Sequence, residues 1–111
     1  MIYDTPTLTV EANAVVREIA FSVSSVEISN KLTSSDSTIY FNIVTKDDDT
    51  YCIELTLKGF RIVGKSFDDT TIGSEVYYET IYQLLDAVSL QFRQSFGSAL
   101  ADKLAQIKDD R

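Results

Sequence analysis

The hydrophobic period of this chain changes twice, and the two changes leave few folds open. Residues 8 to 24, LTVEANAVVREIAFSVS, place Ala12, Val15, Val16, Ile19, Ala20 and Val23 at i, i+3, i+4, i+7, i+8 and i+11. That series predicts an amphipathic helix, with Thr9 as its N-cap. From residue 26 the period drops to two. VEISNKL puts Val26, Ile28 and Leu32 on one side, and STIYFNIVTK sets Ile39, Phe41 and Ile43 against Tyr40 and Val44. TYCIELTL alternates Tyr51, Ile53, Leu55 and Leu57 with Thr50, Cys52, Glu54 and Thr56, and FRIVGKSF follows. All four segments favour the β-branched and aromatic residues that suit strands. A polar loop over 68–73 comes next, and then SEVYYETIYQLLDAV returns to helical spacing through Tyr77, Ile81, Leu84, Leu85 and Val88. Ser89 is placed to cap a last helix running to about residue 108.

The connectors decide the topology. Ser34-Ser35-Asp36 and Asp47-Asp48-Asp49 are polar turn segments, and Lys58-Gly59 is a two-residue link. None has room for a crossover helix, so the strands form an antiparallel meander. One face of that meander needs cover, and the flanking helices supply it. The expected fold is α+β: an N-terminal helix, a four-stranded antiparallel meander and two C-terminal helices packed on one face of the sheet. At 111 residues the chain reads as a single domain over 1–111. Phe21 breaks the first helix's pattern by projecting from its polar side; it is either covered by another segment or exposed for a partner.

Composition narrows the chemistry. A 44% hydrophobic and 24% charged chain builds an ordinary core. Its net charge of −7 opposes the field that phosphate backbones and anionic bilayers need, so neither nucleic acid nor membrane is an expected partner. Solubility alone accounts for most of that acidity. Cys52 is the only cysteine, which rules out an internal disulfide and suits a reducing compartment. The opening MIYDTPTLTV lacks a signal peptide's basic and apolar regions, and no apolar run approaches the roughly 20 residues of a membrane span. A soluble, cytoplasmic protein is expected.

Catalytic machinery is scarce. The chain has no histidine, which removes the commonest general base and zinc ligand. Without one, Cys52 reads as a half-buried structural thiol. The four glycines, at 59, 64, 73 and 97, are scattered and form no phosphate-cradling loop. The Asp47–Asp49 run lacks the spaced ligands of a calcium loop and reads as a solvated hairpin turn. No enzyme, cofactor or metal is expected, and surface for binding remains.

The last helix offers such a surface. At 100° per residue, Phe92, Phe96, Leu100, Leu104 and Ile107 fall within about a 120° arc, with small or polar residues elsewhere. The stripe either closes the domain's own core or docks in another protein's groove. A divided helix reconciles the two, with Phe92 and Phe96 anchoring it while Leu100, Leu104 and Ile107 project.

Five collinear stretches, EANAVVREIAFSV, YFNIVTK, YCIELTLKGFRIVGKSFD, YYETIYQLLDAVS and FRQSFGSALADKLAQIK, cover nearly the whole chain. Through them the sequence resembles the glycogen synthase kinase-3 interaction protein (GSKIP) family, whose domain also occurs in clustered-mitochondria proteins. The resemblance implies a non-catalytic adaptor that binds glycogen synthase kinase-3 through its C-terminal helix, in a hydrophobic groove on the kinase's C-terminal lobe, and modulates or tethers it. Carried over by position, the kinase-binding residues are Phe92, Phe96, Leu100, Leu104 and Ile107. The resemblance also implies an alternative, anchoring of a protein kinase A regulatory subunit through AVVREIAFSVSSVEI, with Val15, Val16, Ile19, Phe21 and Val23 as contacts. Arg17 and Ala20 depart from the vertebrate pattern on that surface, and Leu90 replaces a proline at the start of the last helix. A third reading is a structural domain related to the clustered-mitochondria proteins, with no kinase partner.

Overall fold

The computed structural model describes residues 7–35 and 37–94. Their order is α1 (Thr7–Ile19), β1 (Ser25–Ile28), β2 (Ile39–Val44), β3 (Thr50–Thr56), β4 (Gly59–Gly64) and α2 (Ile81–Val88). A further helical turn, α3, covers 90–94. The strands form one antiparallel sheet in the order β1-β2-β3-β4, which is the expected meander. The α+β expectation therefore holds.

Both helical regions pack on the same face. Leu8, Ala12, Val15 and Ile19 from α1 meet Ile39, Phe41, Ile43, Ile53, Leu55 and Phe60 from the sheet. Ile81, Leu84 and Leu85 of α2 and Phe92 of α3 join the same cluster. Alternation along β2 and β3 puts these sheet residues on one side, and burying each large apolar side chain contributes about 1.5–3 kcal/mol.

Besides β1 and β4, which end at Ile28 and Gly64 rather than at Leu32 and Phe67, element boundaries differ from the periodic reading in four places. Thr9 is not the cap of α1, because the helix is already formed at Thr7; Leu8 is buried in the core and extends the apolar stripe one turn earlier. At its other end α1 stops at Ile19, where Ser22 N–H donates to Ile19 O at 2.8 Å. The chain turns there, leaves Ala20 exposed and returns Val23 to the core.

The third difference concerns the β3–β4 hairpin, whose two loop residues are Leu57 and Lys58 rather than Lys58 and Gly59. Leu57 is consequently 89% exposed instead of extending the inner face of β3. Gly59 opens β4 at φ 120°, and a Cβ there would meet Tyr78 O at 2.4 Å, so only glycine fits.

The fourth concerns the second helix, which starts at Ile81 and not near Ser74. Tyr78 instead forms an antiparallel bridge with Phe60, exchanging N–H···O bonds of 2.8 Å in both directions. Thr80 stops the extended run: its hydroxyl accepts from Gln83 N, while Gln83 Oε1 accepts from Glu79 N at 2.9 Å. This is close to the reciprocal capping arrangement of the T-x-x-Q pattern.

The opposite face of the sheet is covered too. Residues 65–78 form a strap in which Asp68 bonds to Asn42 on that face and 72–78 follow the outer edge of β4; Asn42, Cys52 and Glu54, on the polar side of the alternation, are all buried. Cys52 is fully buried rather than half-buried. Gly64 marks the crossing, since a Cβ there would meet Asp69 O at 2.0 Å.

Candidate functional site

The start of α3 carries Phe92, the first residue of the expected kinase-binding stripe, and its geometry follows from Ser89. That residue is extended, with φ −128° and ψ 111°, and fully buried. Its hydroxyl accepts from Phe92 N–H at 3.0 Å, and its carbonyl accepts from Arg93 N–H at 3.0 Å. Its own N–H donates to Leu85 O at 2.8 Å, so one residue ends α2 and caps α3. Asp47 adds a second cap from the β2–β3 turn, accepting from Gln91 N–H at 3.1 Å. A carboxylate there complements the positive end of the helix. The Asp47–Asp49 run thus forms the expected turn, but with one carboxylate committed to α3.

Phe92 lies in the core at 1% exposure, its ring stacked on Tyr82 at 6.5 Å between centroids. The Tyr82 hydroxyl in turn donates to Glu18 Oε1 at 2.7 Å, tying α2 to α1. Burial, then the hydrogen bond to Glu18 and that residue's charge, push the Tyr82 phenol up to about 12. Arg93 donates from Nε and Nη2 to Asp86 O at 3.0 and 2.8 Å, fixing α3 to the end of α2. Phe96, Leu100, Leu104 and Ile107 lie outside the described residues.

The first helix presents its named residues differently. Val15, Ile19 and Val23 are buried in the core and Val16 is packed against it, whereas Phe21 is 76% exposed on the turn after α1. The structure brings the first three together, but toward the sheet.

The strap side of the sheet holds polar groups that periodicity alone leaves unassigned. Glu54 Oε1 accepts from Arg61 Nε at 2.7 Å, and Glu54 Oε2 accepts from the Tyr40 hydroxyl at 3.1 Å. Arg61 also donates to Ser74 O at 3.2 Å and lies over the Tyr77 ring, 5.4 Å from its centroid. Tyr77, expected on a helical stripe, thus faces two cations, with Lys58 5.8 Å from the same ring. Nearer β1, Asp68 Oδ1 accepts from Ser29 Oγ and from Asn42 Nδ2, and Asp68 N–H donates to Asn42 Oδ1 at 2.9 Å. These bonds hold the Asp68 carboxyl below the usual carboxylate range. Register would have found the ion pair: a two-residue loop at 57–58 makes Glu54 and Arg61 direct cross-strand partners.

Nothing in this arrangement is a nucleophile with a base. Burial raises the Cys52 thiol above its ordinary value, which keeps it protonated. Among the described residues no group of three or more histidine, cysteine or carboxylate side chains is placed to hold a metal ion. No helix among them is long and apolar enough to cross a membrane.

Comparison with known proteins places the chain in a family. The GSKIP domain model matches residues 8–107. The GSK3-beta interaction protein of Danio rerio is 41% identical over 101 residues, covering 90% of this chain and 76% of the relative. The GSK3B-interacting protein of Homo sapiens is 38% identical over 108 residues, 96% of this chain and 78% of the relative. A more distant match is the Protein GSKIP homolog of Drosophila melanogaster, 34% identical over 61 residues, about half of each chain. A family model spanning nearly every element described above, and relatives aligned over nine-tenths of the sequence, establish that the chain belongs to the GSKIP domain family.

Proposed function

We propose that this chain is a non-catalytic adaptor that binds glycogen synthase kinase-3 through its C-terminal helix, in the cytoplasm, and modulates or tethers the kinase. The observation that carries this reading is the pair of relatives, 41% and 38% identical over at least 90% of the chain, whose names state an interaction with GSK3-beta or GSK3B. The capped start of α3 supports the choice of element. Phe92 is held in the core by Ser89 and Tyr82, so the helix has a fixed root. Phe96, Leu100, Leu104 and Ile107 continue its stripe along the sequence, and Leu104 lies well beyond the anchored turn. A reducing compartment suits a chain with a single cysteine.

The test is calorimetric titration of glycogen synthase kinase-3 with this protein and with its Leu104→Ala and Leu104→Pro variants. Binding by the parent, weakening by Leu104→Ala and loss with Leu104→Pro are expected, with the far-UV spectrum of the domain kept. A folded parent that does not bind, or variants that bind as well as the parent, would overturn the reading. A folded parent that binds no kinase would instead favour a structural domain related to the clustered-mitochondria proteins.

A second reading, anchoring of a protein kinase A regulatory subunit, is favoured by one observation, the 76% exposed Phe21. Val15, Ile19 and Val23 would reach a partner only if α1 left the sheet, so this contact would be made through Phe21 and the outer edge of Val16. A regulatory-subunit overlay with no signal would remove this reading, and binding that survives Phe21→Ala would remove Phe21 as its contact.

A further inference from the structure

A cleft of about 260 Å³ lies between α1 and the start of α2, with Tyr82, whose ring stacks on Phe92, among its lining residues. Residues 11, 14, 15 and 18 stand at i, i+3, i+4 and i+7, so they share one face of α1. Ala14 sits between the two glutamates of that face and has no bulk to fill the space. The floor beneath is apolar, made by Val15, Phe60 and Ile81, all buried in the core. Glu79 and Thr80 close the far side. Among the described residues, three glutamates, Glu11, Glu18 and Glu79, line this apolar depression, and no lysine or arginine does. The ion pairs among the described residues, Glu54–Arg61 and Asp86–Arg93, involve none of the three. Glu18 accepts the Tyr82 hydroxyl, which holds its carboxylate at the rim.

The two requirements of this cleft belong to one kind of side chain. An apolar floor takes a methylene stem, and a carboxylate rim takes a cationic head left partly in water. A guanidinium answers better than an ammonium, because its planar fork can donate to two carboxylate oxygens at once and it is more weakly hydrated. An acidic or phosphorylated group would instead meet three like charges on a chain of net charge −7. We propose that the α1–α2 cleft docks an arginine side chain of a partner protein, stem over Val15, Phe60 and Ile81 and guanidinium among Glu11, Glu18 and Glu79. The proposal does not depend on the kinase reading.

The experiment is an amide-shift titration of the ¹⁵N-labelled full chain with the peptide acetyl-leucyl-arginyl-leucinamide. Its citrulline twin, of the same shape but uncharged, is titrated in parallel. The arginine peptide is expected to move the amides of Glu11, Ala14, Glu18, Glu79 and Thr80, and the citrulline peptide to leave them in place. Glu18→Gln and Glu79→Gln should each weaken the response about two- to fivefold, the range of a single partly exposed charge pair. Glutamine at 18 can still accept from Tyr82, so the rim geometry is kept. Should either variant lose its dispersed spectrum, Glu11→Gln, at an exposed position on α1, serves in its place. Equal responses to both peptides, shifts spread elsewhere on the acidic surface, no shift at all, or undiminished binding by Glu18→Gln/Glu79→Gln would each overturn the proposal.

Discussion

Asp68 holds a left-handed backbone, with φ 60°, and through it faces Asn42 twice, once with its amide and once with its carboxylate. Aspartate tolerates this conformation better than most residues. With Ser29 as a second partner, the charged form of Asp68 is favoured in the folded state, and its carboxyl lies below the ordinary range. A depressed folded value means the contribution is present above the unfolded pKa, near 4, and is lost as pH falls through the folded value. Urea unfolding measured from pH 6 to pH 2 should therefore show stability falling below about pH 4. Asp68→Asn, which keeps an acceptor but cannot titrate, should fall less steeply; equal slopes would assign the loss to other carboxylates. Little of this residue's role is visible in the sequence. Alternation tells that Asn42, Cys52 and Glu54 share a face. It does not tell that the face is covered, because Asp68, which bonds to it, comes from a loop with no period of its own. Residues that would be solvated on an open sheet are buried here, and hydrogen bonds and one ion pair make that burial tolerable.

Thr80 decides where α2 begins, and it does so against a periodic pattern that points elsewhere. Tyr77 lies four residues before Ile81, so on spacing alone it extends the apolar stripe of a helix from Ser74. Two local preferences defeat that pattern. Tyr78 is better satisfied pairing with Phe60 along the outer edge of β4, and the Thr80 and Gln83 side chains satisfy donors that a longer helix would have placed inside it. Thr80→Ala should lower unfolding stability by about 1 kcal/mol in urea, while Thr80→Ser should retain most of it. An alanine variant as stable as the parent would show that the tertiary packing of Ile81, Leu84 and Leu85 alone fixes the boundary. The strands, by contrast, were legible, because short polar connectors leave no room for anything but hairpins. Their lengths were less so: Leu57 fits the alternation of β3 yet belongs to the loop, since Gly59, at φ 120°, must open the next strand. At the C-terminal end the sequence shows a continuous stripe from Phe92 onward. What marks Phe92 as the root is the double cap from Ser89 and Asp47, and only Ser89 is local in sequence.

Across the whole molecule, that root determines which properties can be separated. Phe92 is part of one core shared by α1, the sheet and α2, so its removal is a stability event first. Phe92→Ala should cost about 3–5 kcal/mol, the usual range for a buried aromatic truncated in a core. For a domain of this size that is a large share of the total, and thermal unfolding should begin many degrees earlier. If the C-terminal helix is the kinase ligand, affinity should fall with it, because the first turn of α3 loses its anchor in the core. Leu104, twelve residues further along the same stripe, should behave in the opposite sense. If the C-terminal helix is the kinase ligand, Leu104→Ala weakens binding while the melting curve stays near that of the parent. Both variants can be judged on the same samples, by circular dichroism melting and by titration with glycogen synthase kinase-3. Two distinct phenotypes would divide the stripe into a part that folds the domain and a part that meets a partner. A Leu104→Ala melting curve lowered as far as that of Phe92→Ala would mean the stripe is internal throughout, leaving the surface of α1 and the α1–α2 cleft as the places where a partner could be held.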